Sequence, residues 1–159
     1  MQTALNIAKY IHSQGYRDNI KINKLLYISF GFYGAVHDKH LFPDRIEAWK
    51  YGPVIPDVYS AFNNGYFDTD IISLEENEKT SIDRVLHLYG SKAPFLLVDL
   101  THQKDTPWSN SYVPGERNIE IKKDTIINYY KNIIQISNQL VEEISGEDFR
   151  QVMIELSKT

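Results

Sequence analysis

Residues 19–36 read as a helix whose apolar side chains fall on nearly every face: Ile22, Leu25, Leu26, Ile28, Phe30, Phe32, Tyr33 and Val36. A helix of that kind has no face to give to water. The rest of the chain must surround it, so this segment is the expected central and most buried helix. Asp18 or Asn19 is placed to cap its start. The same apolar character decides two further readings. Gly31 and Gly34 lie inside the helix, where they allow a neighbouring helix to approach closely and do not form a phosphate-cradling loop. The turn from Gly15 to Asn19 gives a helix-turn-helix outline, but a DNA-reading second helix presents a polar face to the groove, and this one has none.

The surrounding shell is legible in part. Ala4, Ile7, Ala8 and Ile11 give residues 3–14 a helical spacing that Gly15 ends. Residues 67–80 are acidic (Asp68, Asp70, Glu75, Glu76, Glu78) and predict an exposed loop. Thr80 or Ser81 then caps a helix through Ile82, Val85, Leu86 and Tyr89, closed by Gly90. Residues 93–100 predict a short buried helix, with a strand over 95–98 as the alternative. Residues 101–115 read as loop, with Pro107 and Pro114. A long stripe follows at Ile126, Tyr130, Ile133, Ser137, Leu140 and Ile144, broadened by Ile127, Ile134 and Val141. Asp124 or Thr125 caps it and Gly146 breaks it. Phe149, Val152, Met153 and Leu156 predict a last helix. With 159 residues, and no repeat or linker, the chain reads as one domain over 1–159.

A small β element interrupts the helices. Ile46, Ala48 and Lys50 alternate with Glu47, Trp49 and Tyr51, which predicts a strand. Gly52-Pro53 predicts the turn that follows, because Gly permits unusual φ and Pro fixes it. Pro56 opens a helix over 56–63, since its missing N–H is not needed in the first turn, and Asn63-Asn64-Gly65 ends it. Ile119 and Ile121 flank Glu120 and suggest a second short strand able to pair with 46–50. The fold class is therefore mainly α with a small β element (α+β): a helical fold with a short two-stranded or hairpin-like sheet.

Composition narrows the chemistry. The net charge of −4 and the absence of any basic cluster beyond Lys122-Lys123 disfavour non-specific nucleic-acid binding. With no cysteine there is no disulfide, thiolate metal site or Cys nucleophile. No secretory segment is evident and no apolar run approaches the ~18 residues of a membrane span, so a soluble, cytoplasmic protein is expected. Eleven tyrosines suit half-buried surfaces and interfaces. His37 and His40 have a ligand-like spacing but no third ligand nearby, and read as a solvated loop. His102 and Asp105 have the residue types of a base and its orienter, yet no nucleophile motif accompanies them. The structural alternative is that Thr101 and His102 fix a turn while Trp108 plugs the core. No phosphate-binding loop or dinucleotide fingerprint is present. No catalytic, metal or cofactor residue is assigned.

Three blocks together resemble a known family. Lys21-Ile22-Asn23-Lys24-Leu25-Leu26-Tyr27 is similar to its Lys-Leu-x-Lys-Leu-Leu-Tyr helix. Glu47-Ala48-Trp49-Lys50-Tyr51-Gly52-Pro53-Val54, followed by Val58-Tyr59, resembles its Glu-Ala-Trp signature. Thr101-His102 with Pro107-Trp108 resembles its Thr-His and Pro-Trp element. These identify the chain as similar to the Panacea domain family of SocA-like antitoxins and phage-associated GepA-like proteins, over about residues 3–130; residues 131–159 carry no such signal. The resemblance implies a mainly helical fold and no enzymatic activity. It implies an antitoxin that neutralises a cognate protein toxin, encoded by the adjacent gene, by direct binding. Nucleic acid is not expected as a partner of this chain alone, nor is a membrane; a homo-oligomer is compatible. An adaptor that delivers a partner to a protease or phage machinery is the alternative, and a small hydrolase centred on His102 the third reading. On the resemblance, Lys24, Leu25, Tyr27, Glu47, Trp49, Tyr51, Gly52, Pro53, Val54, Tyr59, Thr101, His102, Pro107 and Trp108 form a framework. Replacing Trp49 by Ala is then expected to cost roughly 3–5 kcal/mol of stability. Partner contacts are expected from His37, His40 and Phe42 in the loop, from Tyr51, and from Phe149 and Met153 in the terminal helix.

Overall fold

The computed structural model of the chain describes residues 2–67, 70, 73–143, 154 and 158. At its centre is α2 (Asn19–His37), whose residues 22–34 are all buried. Asp18 caps it by accepting the Lys21 N–H at 2.8 Å, and Asp38 ends it in the left-handed region at φ 56. Around α2 pack α1 (Ala4–Ser13), a hairpin of β1 (Glu47–Trp49) and β2 (Gly52–Val54), and α3 (Pro56–Asn63). The shell is completed by α4 (Glu76–Tyr89), α5 (Pro94–His102) and α7 (Lys123–Glu143), with α6 (Pro107–Ser111) packed on α5 and α7. The protein is mainly α with one small antiparallel sheet, as the pattern of apolar residues predicts.

The two glycines of α2 face α7. A Cβ on Gly31 would fall on the ring of Tyr130, and one on Gly34 would lie 2.5 Å from Ile127 Cγ1. Ile126, Ile127 and Tyr130 are buried against this seam, so the predicted stripe is the core face of α7. The stripe's continuation past Glu143, the break at Gly146 and the final helix fall outside the described residues.

The hairpin differs from expectation in one respect. Glu47 pairs with Val54, Ala48 with Pro53 and Trp49 with Gly52, so the turn is Lys50–Tyr51 and Gly52-Pro53 belongs to β2. Gly52 carries the unusual backbone, at φ 109. Pro53 is tolerated because its partner Ala48 turns its N–H the other way, donating to the Ile119 carbonyl at 2.9 Å. The pair is a non-hydrogen-bonded one that needs no donor from position 53. On that outer edge the Ile121 N–H donates to the Ile46 carbonyl at 2.9 Å, and Glu47 and Glu120 form a single bridge. The short strand expected around Glu120 is thus present as one bridge, paired where expected.

Three boundaries also move. The acidic run expected as loop contains the start of α4 at Glu76, not at Thr80 or Ser81. Glu78 accepts the Glu75 N–H at 2.8 Å, and carboxylates suit a helix N-terminus. α5 is a helix and not a strand, and it buries Leu97, Val98 and Thr101 while Phe95 and Leu96 face solvent. Within the expected loop 101–115, Thr106 and Pro107 start the extra helix α6. α7 begins at Lys123, which puts Asp124 in its first turn. Among the described residues no helix is long and apolar enough to cross a membrane.

Candidate functional site

Enclosing α2 on all sides buries its polar residues with its apolar ones, and two of these organise the hairpin. Lys24 is only 1% exposed and donates from Nζ to the Pro53 carbonyl at 3.0 Å. Burial pulls its pKa down from the usual lysine value to about 7, and the charge of Asp18 opposes this only in part. Asn23 accepts the Ile55 N–H on Oδ1 at 3.0 Å and so holds the start of α3. Gly52 lies over Lys24: a Cβ there would stand 2.5 Å from Lys24 Cε and 3.0 Å from Thr101 Oγ1. Thr101, in the last turn of α5, returns its hydroxyl to the carbonyls of Leu97 and Val98.

The next layer is aromatic. Thr106 caps α6 by accepting the Ser109 N–H, and Pro107 sets the first turn. This places Trp108 so that its indole N–H donates to the Trp49 carbonyl at 2.7 Å. The Trp108 ring stacks on His102 at 3.6 Å and 8°, and on Tyr112 at 4.6 Å and 16°. His102 Nε2 is buried without a hydrogen-bond partner among the described residues. Burial, and the charge of Lys24 when protonated, push the His102 pKa down. The ring is held by stacking on Trp108. Asp105 stands exposed on a left-handed residue at φ 63 and makes no hydrogen bond to His102 among the described residues. The geometry of an oriented base is not formed. Among the described residues no group of three or more histidines and carboxylates is placed to hold a metal ion.

Outside this layer Trp49 faces a cleft. Its indole N–H donates to Glu47 Oε1 at 2.9 Å, and Arg45 holds the other Glu47 oxygen at 2.7 Å. Arg45 also bonds Glu120 at 2.9 Å and the Asn118 carbonyl at 2.8 Å, which ties the 112–118 segment to the hairpin. Arg117 lies over the Trp49 ring at 4.1 Å, and Tyr59 meets that ring edge-on at 5.1 Å. Between these walls is a cleft of about 430 Å³, with Lys24 and Asn23 toward its floor and Lys50, Tyr51, Tyr112 and Glu116 at its sides.

The family model described as "Antitoxin SocA-like, Panacea domain" matches residues 22–109, more than half of the 159 residues. The chain belongs to the SocA-like Panacea family. Antitoxin SocA of Caulobacter vibrioides (strain NA1000 / CB15N) is 30% identical over 107 residues, which cover 57% of each chain. The alignment thus spans little more than half the length of that relative. No solved structure matches.

The matched span contains every residue of the Panacea framework expected from the sequence, and the fold brings most of them together. Lys24, Gly52, Pro53, Thr101, His102, Pro107 and Trp108 form the buried layers above, while Trp49, Tyr51, Val54 and Tyr59 line the cleft and Glu47 holds the Trp49 indole. Leu25 and Tyr27 belong instead to the core around α2. Tyr112, Glu116 and Arg117, which complete the cleft, lie beyond the matched span. The only sequence signal for them is Ile119 and Ile121, whose pairing with the hairpin carries this segment into place.

The residues expected at a partner surface scatter. Phe42 is fully buried, with its ring 4.9 Å from Phe30. Its place as a contact is therefore corrected: Leu41 and Phe42 anchor the loop to the core. His40 stands 3.6 Å from Asp124 and beside Phe30. His37 stacks near Tyr33 and lines a separate groove of about 530 Å³ between α2, α4 and α7. Tyr51 is more than half exposed at the cleft mouth. Phe149 and Met153 lie outside the described residues.

Proposed function

We propose that this protein is the antitoxin of a toxin–antitoxin pair and neutralises a protein toxin, encoded by the adjacent gene, by binding it directly. The observation that carries this reading is the match of residues 22–109 to a family described as antitoxin-like, supported by a relative named as an antitoxin. A complex of standard size buries about 800 Å² on each partner. The aromatic cleft offers a centre for such a patch. The action is by binding and not by catalysis, a reading supported by His102 stacked on Trp108 with its pKa pushed down by burial and, among the described residues, no hydrogen bond to Asp105. The framework residues act as scaffold on this view.

The test is expression of the neighbouring gene alone and together with this chain. The neighbour alone should arrest growth, co-expression should restore it, and the two proteins should copurify. A neighbour that is harmless alone and does not copurify would remove the reading. A partner whose level falls in a protease-dependent way when this chain is present would instead indicate delivery to degradation. His102→Ala should leave neutralisation unchanged; loss of neutralisation by a folded His102→Ala protein would restore a chemical role for the ring.

A further inference from the structure

We propose that the cleft between the hairpin and the 112–118 segment docks an acidic side chain of a protein partner, presented beside an apolar residue. Its aromatic walls come from Trp49, Tyr51, Tyr59 and Tyr112. With Arg117, these are the residue types that dominate binding energy at protein interfaces. The charge in the cleft opposes that of the whole protein. The chain carries a net −4, yet the cleft is lined by Lys24, Lys50 and Arg117 against the single carboxylate of Glu116.

The cations at its mouth are also unspent. Arg45, close by, is saturated by Glu47, Glu120 and the Asn118 carbonyl. Arg117 Cζ lies over the Trp49 ring at 4.1 Å and Lys50 Nζ over Tyr51 at 5.4 Å. Neither makes a hydrogen bond or ion pair among the described residues. A guanidinium over an indole that makes no such bond has N–H donors left for a bidentate carboxylate. Beneath them, Lys24 has one acceptor, the Pro53 carbonyl, and an arriving anion would favour its charged form. Cations alone would also suit a nucleic acid, but that ligand calls for a basic surface, and outside this cleft the chain is acidic. An acidic residue next to an apolar one satisfies both the rim and the walls.

The identity of the partner as a toxin rests on the antitoxin reading; the chemistry of the cleft does not, and it is tested without the toxin. The chain has two tryptophans, so the indole N–H region of its ¹H–¹⁵N spectrum holds two signals, and Trp49→Phe assigns them. The probes are acetyl-Leu-Glu-Leu-amide, acetyl-Leu-Gln-Leu-amide and a thymidine pentanucleotide. The glutamate peptide should shift the Trp49 signal saturably. The glutamine peptide should bind roughly tenfold more weakly, the loss of about one charge-assisted contact. Arg117→Gln should remove that preference without moving the thermal midpoint, since Arg117 is exposed. Equal binding of the two peptides, an unmoved Trp49 signal, or tighter binding of the oligonucleotide would overturn the proposal. With a copurifying toxin, Arg117→Glu should weaken the complex by at least roughly tenfold. A toxin indifferent to Arg117→Glu would refute the cleft as its docking site while leaving the antitoxin reading intact. A neighbour that never binds the wild-type chain would refute the antitoxin reading and leave the peptide result standing.

Discussion

Lys24 gives the protein a pH dependence that can be isolated by one substitution. In the unfolded chain its ammonium holds its proton up to about 10.5; in the fold, burial lowers that value to about 7. Between the two, the folded state binds one proton fewer, so stability rises with pH. The penalty of the buried lysine is absent above about 10.5, grows as pH falls, and is complete below about 7. Each pH unit is about 1.4 kcal/mol. The full effect is on the order of 5 kcal/mol, and roughly 2 kcal/mol of it appears between pH 7 and 9, because the folded-state lysine is only half titrated at pH 7. Lys24→Met keeps the length and apolar bulk of the side chain and removes the titration. It also leaves the Pro53 carbonyl without its donor, a loss of about 1–3 kcal/mol that does not vary with pH in this range. Urea unfolding of both proteins at pH 7, 8 and 9 yields the difference directly, because titrating groups that do not interact with Lys24 cancel. The wild type should gain on the Met variant by roughly 2 kcal/mol across that interval. Parallel stabilities for the two proteins would mean that Lys24 stays charged in the fold, and would refute the claim that its burial outweighs the attraction of Asp18.

Gly31→Ala should destabilise by about 1–3 kcal/mol despite the gain of roughly 1 kcal/mol in helix propensity, because the new methyl falls on the buried Tyr130 ring. Denaturant unfolding checks this, and the penalty should shrink in a Tyr130→Ala background. Trp108→Phe keeps the ring between His102 and Tyr112 but removes the indole donor to the Trp49 carbonyl. A loss of about 1–2 kcal/mol is expected in thermal or chemical unfolding. Trp49→Ala should cost about 2 kcal/mol, less than the 3–5 kcal/mol expected of a fully buried ring, because the indole is only partly covered and packs on Arg117 and Tyr59.

The parts of the fold that rest on local signals were legible. The all-apolar α2, the start of α3 at Pro56 and the stripe on α7 each follow from residues close in sequence. The hairpin turn was not, since Gly52-Pro53 has every local mark of a turn. What makes Pro53 a strand residue is the Ala48 N–H, which is claimed by Ile119 from a distant part of the chain. The acidic residues at 75–78 looked like loop for a similar reason: the same carboxylates suit water and a helix N-terminus equally well. Phe42 sits beside Leu41 in an otherwise mostly polar loop, and only the tertiary fold tells an anchor from an exposed ring. The burial of Lys24, in contrast, had a signal in the sequence. A helix enclosed on every face must bury its polar residues too, and Asn23 and Lys24 were the ones that needed partners. The cleft itself was illegible, because its second wall arrives through the pairing of Ile119 and Ile121 with the hairpin.

Trp49 joins the framework to the cleft, and this decides how its variants are to be interpreted. Its carbonyl is held by Trp108, its indole N–H by Glu47, and its ring face by Arg117. Removing the side chain therefore disturbs the Glu47–Arg45 network that ties down the 112–118 segment, and it also removes the platform on which Arg117 lies. A binding defect in Trp49→Ala would follow whether or not the indole touches a partner. Arg117 offers the cleaner separation: it is exposed, lies over the Trp49 ring, and among the described residues makes no hydrogen bond or ion pair. A stable Arg117 variant that loses binding reports on recognition, whereas a destabilised Trp49 variant reports on the hairpin that recognition depends on.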